Sequence, residues 1–507
     1  MKQYIGITIG PIGDTMSLTS SPAGLWAASY LFSYLAHSIR EKIGKPGLIQ
    51  DDLFYKDGKT VSSLFEKGIG MYHDRVIYQM DEQYTLKHAN AAVKSTVSSI
   101  VDGFAESKIF SGRKKELSDF FYSYFNIHIV CVEVDQNDNI LLVVNDALDA
   151  AELEKNFASH TMFNPILELF DGNDKGKNEE IKQSFLVPKD ADKKNINRQW
   201  ILLDGSAKGI KDLPSIASAA KAISRKDFLK QPKSSVYYAI IQADGDNMGQ
   251  TIKDTITDEK TYIEFSEKCM RYGCNAAEIV LRYGGIPIYV GGDDLLCIAP
   301  LMCSLDDGEH TFLEMIKEIR KCFTKEFNSG PDLSFGVQIQ YVKTPLYEAL
   351  NESARLLFNK AKKNKPGALA INLRKHSGQS AEILINDLGN IETGEKIRES
   401  LDKLIRKHVS EKTLNSVGKH IADFSALFNQ AAKEGSDSIS NFFINTFDNG
   451  ILDNDKLYLD KIKELTLLLH HANLIKRNDE DIANQLGSYI RLLKFFSETV
   501  DREEEKL

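Results

Sequence analysis

Two pairs of aspartates have types and spacing suited to chemistry: Asp244 and Asp246 in ADGDNMG, and Asp293 and Asp294 in YVGGDDLL. The first pair ends a run of β-formers, VYYAIIQA; the second lies between two more, IPIYV and LLCIAP. Carboxylates gathered in one place repel one another unless a divalent cation sits among them, and magnesium, which prefers hard oxygen ligands, is the natural occupant. In a two-metal site one ion activates an attacking hydroxyl and the other stabilises the leaving pyrophosphate of a nucleoside triphosphate. Glycine and aspartate between strands are also what an ordinary hairpin turn uses. The choice between these readings depends on whether the fold brings the two pairs together.

The order of elements predicts that it does. After VYYAIIQA, residues 251–283 read as mostly helical, and IPIYV and LLCIAP as paired strands around GGDD. Phe312, Ile316, Ile319 and Phe323 mark one face of a further helix, and LSFGVQIQYV alternates with period two as a half-buried strand. PLYEALNESARLLFNKAKKN starts on proline as a helix, and ALAINL is a last strand. This is a β-α-β-β-α-β order with an extra helix and strand, the ferredoxin-like split arrangement of palm domains. Its first and third strands are antiparallel neighbours, so Asp244 and Asp246 should meet Asp293 and Asp294 at one edge. Asp246 has a second role open to it, capping the helix that follows. Gly291 and Gly292 permit a tight hairpin and close approach of a phosphate or base, and Gly245 and Gly249 keep the first turn uncluttered. With Asn247 they are the candidate nucleotide-binding positions.

The rest of the 507-residue chain organises around this unit. Its composition, 42% hydrophobic and 27% charged, is that of a soluble globular protein. A net charge of −9 excludes a whole-molecule electrostatic nucleic-acid binder, so such contact is local or shared with basic partners. The six cysteines form no C-x-x-C pair, which fits buried thiols in a reducing cytosol better than a zinc site. LWAASYLFSYLA is too short to span a bilayer; Leu25, Ala28, Phe32, Leu35, Ile39 and Ile43 make it a core-facing helix begun at Ser21–Pro22. A cytoplasmic, membrane-free protein is expected.

Four blocks follow. Residues 1–160 open with the strand YIGITIG, contain a long helix at YTLKHANAAVKSTVSSIVDGF, and end in two predicted strands, FNIHIVCVEV and NILLVV, around DQND. Residues 161–234 are loop-rich, 235–388 hold the palm, and 389–507 are helical, with stripes at Leu457, Ile462, Leu465, Leu469, Ala472 and at Ile482, Leu486, Tyr489, Leu493, Phe496.

DGDNMG, YVGGDDLL, PLYEAL, LLFNKAKK and RKHSGQ together resemble the polymerase/cyclase large subunit of type III CRISPR effector complexes, most closely the Cmr (III-B) subtype. ITIGPIGDTMSLTSSPAGLWAASYLFSYLA and GIGMYHDRVIY resemble that family's first palm-like domain. The resemblance implies an α+β protein with two ferredoxin-like palms, a small inserted domain and a helical C-terminal domain. It implies an ATP-using nucleotidyl cyclase that needs Mg2+ or Mn2+ and makes cyclic oligoadenylate when its complex, with guide RNA, binds target RNA. Asp293, Asp294 and Asp244 match the family's metal carboxylates. Lys360 and Lys363 are positioned to reach the triphosphate, or form a solvated basic helix end. The first palm ends its strand in GPIGD and lacks a carboxylate pair. The family's HD nuclease and zinc-ribbon cysteines find no match, and His73–Asp74 reads as structural, so no single-stranded DNA nuclease activity is expected. Relatives without the HD domain include a branch that joins AMP to S-adenosylmethionine, which the same metal chemistry would serve. A stand-alone GGDEF-like cyclase and a non-catalytic scaffold subunit are the remaining readings.

Overall fold

β-branched and aromatic runs give the chain its strands, and the structure, a computed structural model, describes residues 1–19, 22–48, 53–56, 59–63, 69–106, 110–154, 164–170, 237–305, 308–328, 330–341, 344–363, 366–385, 391–406, 411–447, 453–476 and 481–497. In chain order the strands are β1 (Lys2–Gly10), β2 (Leu53–Lys56), β3 (Lys59–Ser63), β4 (Arg75–Gln79), β5 (Asn126–Val134), β6 (Tyr237–Gly245), β7 (Ile286–Gly291), β8 (Asp294–Ala299), β9 (Met302–Leu305), β10 (Gly308–Thr311), β11 (Leu333–Tyr341), β12 (Leu369–Arg374) and β13 (Ser380–Ile385).

In the first block β1 lies between β4 and β5, antiparallel to both. The helix Pro22–Ile43 buries Leu25, Ala28, Phe32, Leu35, Ile39 and Ile43, the stripe read from the sequence. Burying each large apolar side chain of that stripe contributes about 1.5–3 kcal/mol. The helix expected near YTLKHANA spans Leu86–Ala105. NILLVV is a correction: it is no strand but the start of a helix, Ile140–Glu152. Asn139 caps it by accepting from the Leu142 N–H, and Ile140, Leu141, Val144 and Leu148 bury one helical face, so capping and tertiary packing override the β-propensity of the short run. The loop-rich stretch expected at 161–234 lies outside the described residues, apart from the short helix Pro165–Phe170 and the residue before it.

The second sheet has the order β13-β12-β11-β6-β8-β7. β6 is its axis, antiparallel to β8 on one side and to β11 on the other. The helices Met248–Thr255 and Glu259–Arg282 connect β6 to β7, and Phe312–Glu326 connects the small β9–β10 hairpin to β11. Neither that hairpin nor β13 was legible in the sequence. The alternation of β11 is a second correction: all of its residues but Tyr341 are buried, because a central strand is covered on both faces. Its inward polar side chains are satisfied locally. Gln338 accepts from Asn372 Nδ2 (2.9 Å), and Gln340 donates to the Pro345 carbonyl (3.3 Å).

Beyond β13 the described chain is helical. Ile482, Leu486, Tyr489, Leu493 and Phe496 are buried, as are Ile462, Leu465, Leu469 and Ala472, but Leu457 is exposed and Tyr458 takes the inward position. No disulfide links the six cysteines; Cys131 is exposed rather than buried. No helix among the described residues is long and apolar enough to cross a membrane.

The first block abuts the edge strand β7. The Val290 N–H donates to the Gly70 carbonyl (2.9 Å), and Ser29 Oγ donates to the Ile288 carbonyl (3.2 Å). On β11, Gly336 lets a helical segment approach the sheet: a Cβ there would lie 2.3 Å from Ser353 O and 2.5 Å from Leu357 N. Gly249, in contrast, faces open space. Gly336→Ala should therefore cost about 3 kcal/mol, whereas Gly249→Ala, in a helix, should be neutral or stabilise by up to about 1 kcal/mol. Thermal melts of the two variants beside the parent chain check this.

Candidate active site

The antiparallel pairing of β6 with β8 sets Ala243 opposite Leu295, so the next positions outward are Asp244 on β6 and Asp294 on β8. Asp293 occupies the turn just before β8, after Gly291 and a Gly292 in the left-handed region at φ +68°. The two acidic segments, far apart in the sequence, thus share one sheet edge. Gly245 makes the approach possible: its N–H donates to Asp293 Oδ2 (3.2 Å), and a Cβ there would lie 2.7 Å from that oxygen. Any side chain at 245 would push the carboxylate away.

Burial and mutual repulsion raise the pKa values of this pair. Asp293 is pushed up to about 6, first by burial and then by the Asp244 charge. Asp294 is pushed up to about 7, by burial and by the charges of Asp293 and Asp244. Ionised, the cluster requires positive charge close by. Lys362 supplies it: its Nζ lies 2.5 Å from Asp244 Oδ1 and donates to the Gly245 carbonyl (3.0 Å), and its charge pulls down the pKa values of Asp246, Asp293 and Asp294.

The lysine found beside these carboxylates is one the sequence reading did not name. Lys360 pairs instead with Glu382 on β13, and Lys363 is exposed. The helix Leu346–Ala354 continues as a π-helix, Arg355–Ala361, closed by the Lys362 N–H donating to the Leu357 carbonyl (2.9 Å). An α-helical count through LLFNKAKK does not anticipate this wider turn.

Asp246 has partners of its own. Its Oδ2 accepts from Ser334 Oγ (2.7 Å) and from the Gly367 N–H (2.8 Å), and the helix that follows begins at Asn247 without a side-chain capping bond. It is 7% exposed, and burial raises its pKa in spite of these two bonds. Its contribution is to tie β6 to β11 and to the loop before β12. Asn247 adopts φ +60° at the start of the helix Met248–Thr255 without a side-chain capping bond. Gly249 contacts nothing that a Cβ would meet, and a Cβ at Gly291 would meet the Tyr289 hydroxyl.

The first block brings a residue that sequence reasoning had set aside. The His73 ring lies against Gly292, where a Cβ would be 3.4 Å from Cδ2, and its Nδ1 is 2.7 Å from Asp74 Oδ1. Crowding by protein disfavours charge on this imidazole, but the Asp74 carboxylate and, beyond it, Asp294 outweigh that and raise its pKa. The only signal in the sequence was the dipeptide itself, which does not reveal what it faces.

Between the first block and the palm is a cavity of ≈ 260 Å³, lined among others by Met71, Tyr72, Tyr262, Phe265, Met270 and Asp293. Among the described residues, no group of three or more His, Cys, Asp or Glu side chains stands in metal-ligand geometry. The donor set still fits a hard cation: three half-buried carboxylates, two of them raised in pKa by desolvation and then by repulsion, around the lysine charge they share.

Comparison with known proteins accords with this geometry. A 173-residue alignment at 35% identity relates the chain to the CRISPR system Cmr subunit Cmr2 of Pyrococcus furiosus, covering 28% of this chain and 19% of that protein. The match thus spans about a fifth of the length of that curated relative. Among solved structures, a Csm1–Csm4 cassette crystallised with pppApA superposes on 92% of this chain and 69% of its own, at 12% identity and a TM-score of 0.50, a likeness of fold. An apo type III-B Cmr-β complex determined by cryo-EM matches over 76% of this chain and 70% of its own, at 12% identity and a TM-score of 0.45. Residues 237–370 match the family model described as Cas10/Cmr2, second palm domain, a span that contains Asp244, Asp293, Asp294 and Lys362. Over these residues the chain is similar to the second palm of the Cas10/Cmr2 family.

Proposed function

We infer that this chain is a metal-dependent nucleotidyltransferase of type III CRISPR defence, joining ATP into a cyclic oligoadenylate messenger. The observation that carries the reading is the meeting of Asp244 with Asp293 and Asp294 at one sheet edge, where burial and neighbouring carboxylate charge raise the pKa values of Asp293 and Asp294. The match of residues 237–370 to the Cas10/Cmr2 second palm and the nucleotide in the pppApA-bound Csm1–Csm4 cassette support it. The chain acts within a III-B complex with guide RNA, and target RNA triggers synthesis. Residues 1–160 form a first palm whose strand end lacks the carboxylate pair, 161–234 an inserted domain, 235–388 the active palm and 389–507 a helical domain.

Asp244, Asp293 and Asp294 would hold Mg2+ or Mn2+, which supplies activation of the attacking hydroxyl and neutralises charge on the leaving pyrophosphate. Gly245 lets the Asp293 carboxylate close on β6. Lys362 sets a cation beside the same carboxylates, where the phosphates of the donor nucleotide meet it.

The cavity favours a second reading of the acceptor. Both guanidinium groups on its walls are committed: Arg40 donates to the His73 and Arg75 carbonyls, and Arg75 to Asn145, Asp149 and Glu152. The aromatic and methionine lining beside Asp293 suits the sulfonium of S-adenosylmethionine better than a second triphosphate. Mass spectrometry of the product, formed from ATP with and without S-adenosylmethionine, decides between them: an AMP conjugate selects the second reading, and linked adenylates select the first.

In the assembled complex with ATP, Mg2+ and target RNA, Asp293→Asn/Asp294→Asn should lower pyrophosphate release by more than about 100-fold. Undiminished release would refute the assignment. Lys362→Met should cost about 100-fold, whereas Lys360→Met and Lys363→Met should stay within about threefold of the parent.

A pH dependence follows from the raised carboxylates. Their folded pKa values lie above an unfolded value of about 4, so the folded chain holds the extra protons, and without metal its stability falls as pH rises through about 6 to 7. Asp294→Asn removes one of the repelling charges. At pH 7.5 without divalent ions it should melt above the parent, with the difference shrinking by pH 5. Mn2+ should raise the parent's melting temperature more at pH 7.5 than at pH 5.5 and leave the variant nearly unmoved.

A further inference from the structure

The first-block segment Gly70–Arg75 leads from the outer edge of β7 into β4. Gly70 pairs in parallel with Tyr289, and its carbonyl accepts the Val290 N–H. Ser33 Oγ accepts from the Met71 and Tyr72 N–H groups (2.9 and 2.8 Å). Arg40, 7% exposed, donates to the carbonyls of His73 (3.0 Å) and Arg75 (2.7 Å), pinning the backbone on both sides of Asp74. Every one of these bonds fixes backbone, and together they hold one imidazole in place. That imidazole is not buried for packing: its side chain stays 46% exposed, on the wall of the cavity that Asp293 also lines. An exposed His–Asp pair contributes little stability by itself, so packing does not explain so rigid a mount. The ring fills the space beside Gly292, in the turn that carries both site carboxylates, where a Cβ would lie 3.4 Å from its Cδ2, and its Nδ1 is met by Asp74 Oδ1 (2.7 Å) and by the Arg75 N–H (3.2 Å).

We propose that His73, oriented by Asp74, is a positioning residue for the GGDD turn: it holds the Gly292–Asp294 backbone and carboxylates in the geometry that binds metal, so the first block completes the palm's site. This rests on the reading of Asp244, Asp293 and Asp294 as a metal site, and it assigns His73 no proton transfer.

The test is Mn2+ titration of the full chain, followed by electron paramagnetic resonance, beside thermal melts and steady-state kinetics of the assembled complex. His73→Ala should weaken Mn2+ affinity about tenfold, lowering kcat with little change in the KM for ATP and little loss of melting temperature. His73→Gln, which keeps a polar side chain of similar reach, should recover most of the affinity, and Asp74→Asn should fall between. Unchanged Mn2+ affinity in His73→Ala would overturn the proposal while leaving the metal site standing. So would a melting-temperature loss that His73→Gln repairs with no effect on Mn2+ binding. A parent chain that binds no Mn2+ would overturn the parent reading as well, so the two failures are distinguishable.

Discussion

Like charges buried at one point are the constraint around which this part of the molecule is organised. Asp293 and Asp294 sit in protein with Asp244 beside them; burial and the Asp244 charge raise the cost of ionising both, and Asp293 adds to that of Asp294. A fold tolerates this only if backbone donors, a cation and steric room are supplied together. Gly245 gives both room and a donor N–H, Lys362 gives the charge, and the backbone of β6 and β8 fixes the spacing. Asp246, one residue past Gly245, is drawn the other way to fasten β6 to β11, so the two acids of a three-residue run do different work.

The strands that do this belong to a sheet with little freedom. β6 is hydrogen-bonded on both sides, and its partner β11 is buried over nearly its whole length, with polar side chains paired inside. A register slip on β6 would carry Asp244 to the other face and set inward glutamine and serine groups of β11 against apolar neighbours. Site geometry and core packing are therefore the same specification, written once in the pairing of three strands.

How much of this the sequence revealed depended on range. The meeting of the two acidic segments was legible, because it follows from strand order alone, and so was the inward stripe of Pro22–Ile43, a local periodicity. NILLVV was not, because a short β-branched run carries no length cue and the deciding contacts come from elsewhere in the fold. The two-sided burial of β11 was hidden for the same reason: alternation looks alike whether the polar face meets water or Asn372. His73 escaped because its neighbour, Gly292, is more than two hundred residues away and nothing local marks the contact.

The π-helix at Arg355–Ala361 has an effect that reaches past its seven residues. Three lysines follow one another closely here, at 360, 362 and 363, and the width of a single turn decides which of them the carboxylates meet. In a regular α-helix each residue advances about 100° around the axis; a π-turn, with hydrogen bonds from i to i+5, absorbs one extra residue and delays that advance. The segment works as a vernier: losing one residue from it would rotate the lysine cluster by most of a quarter-turn or more and hand the position to a neighbour of identical charge. Composition would hardly change, and the counter-ion of the site would be a different residue.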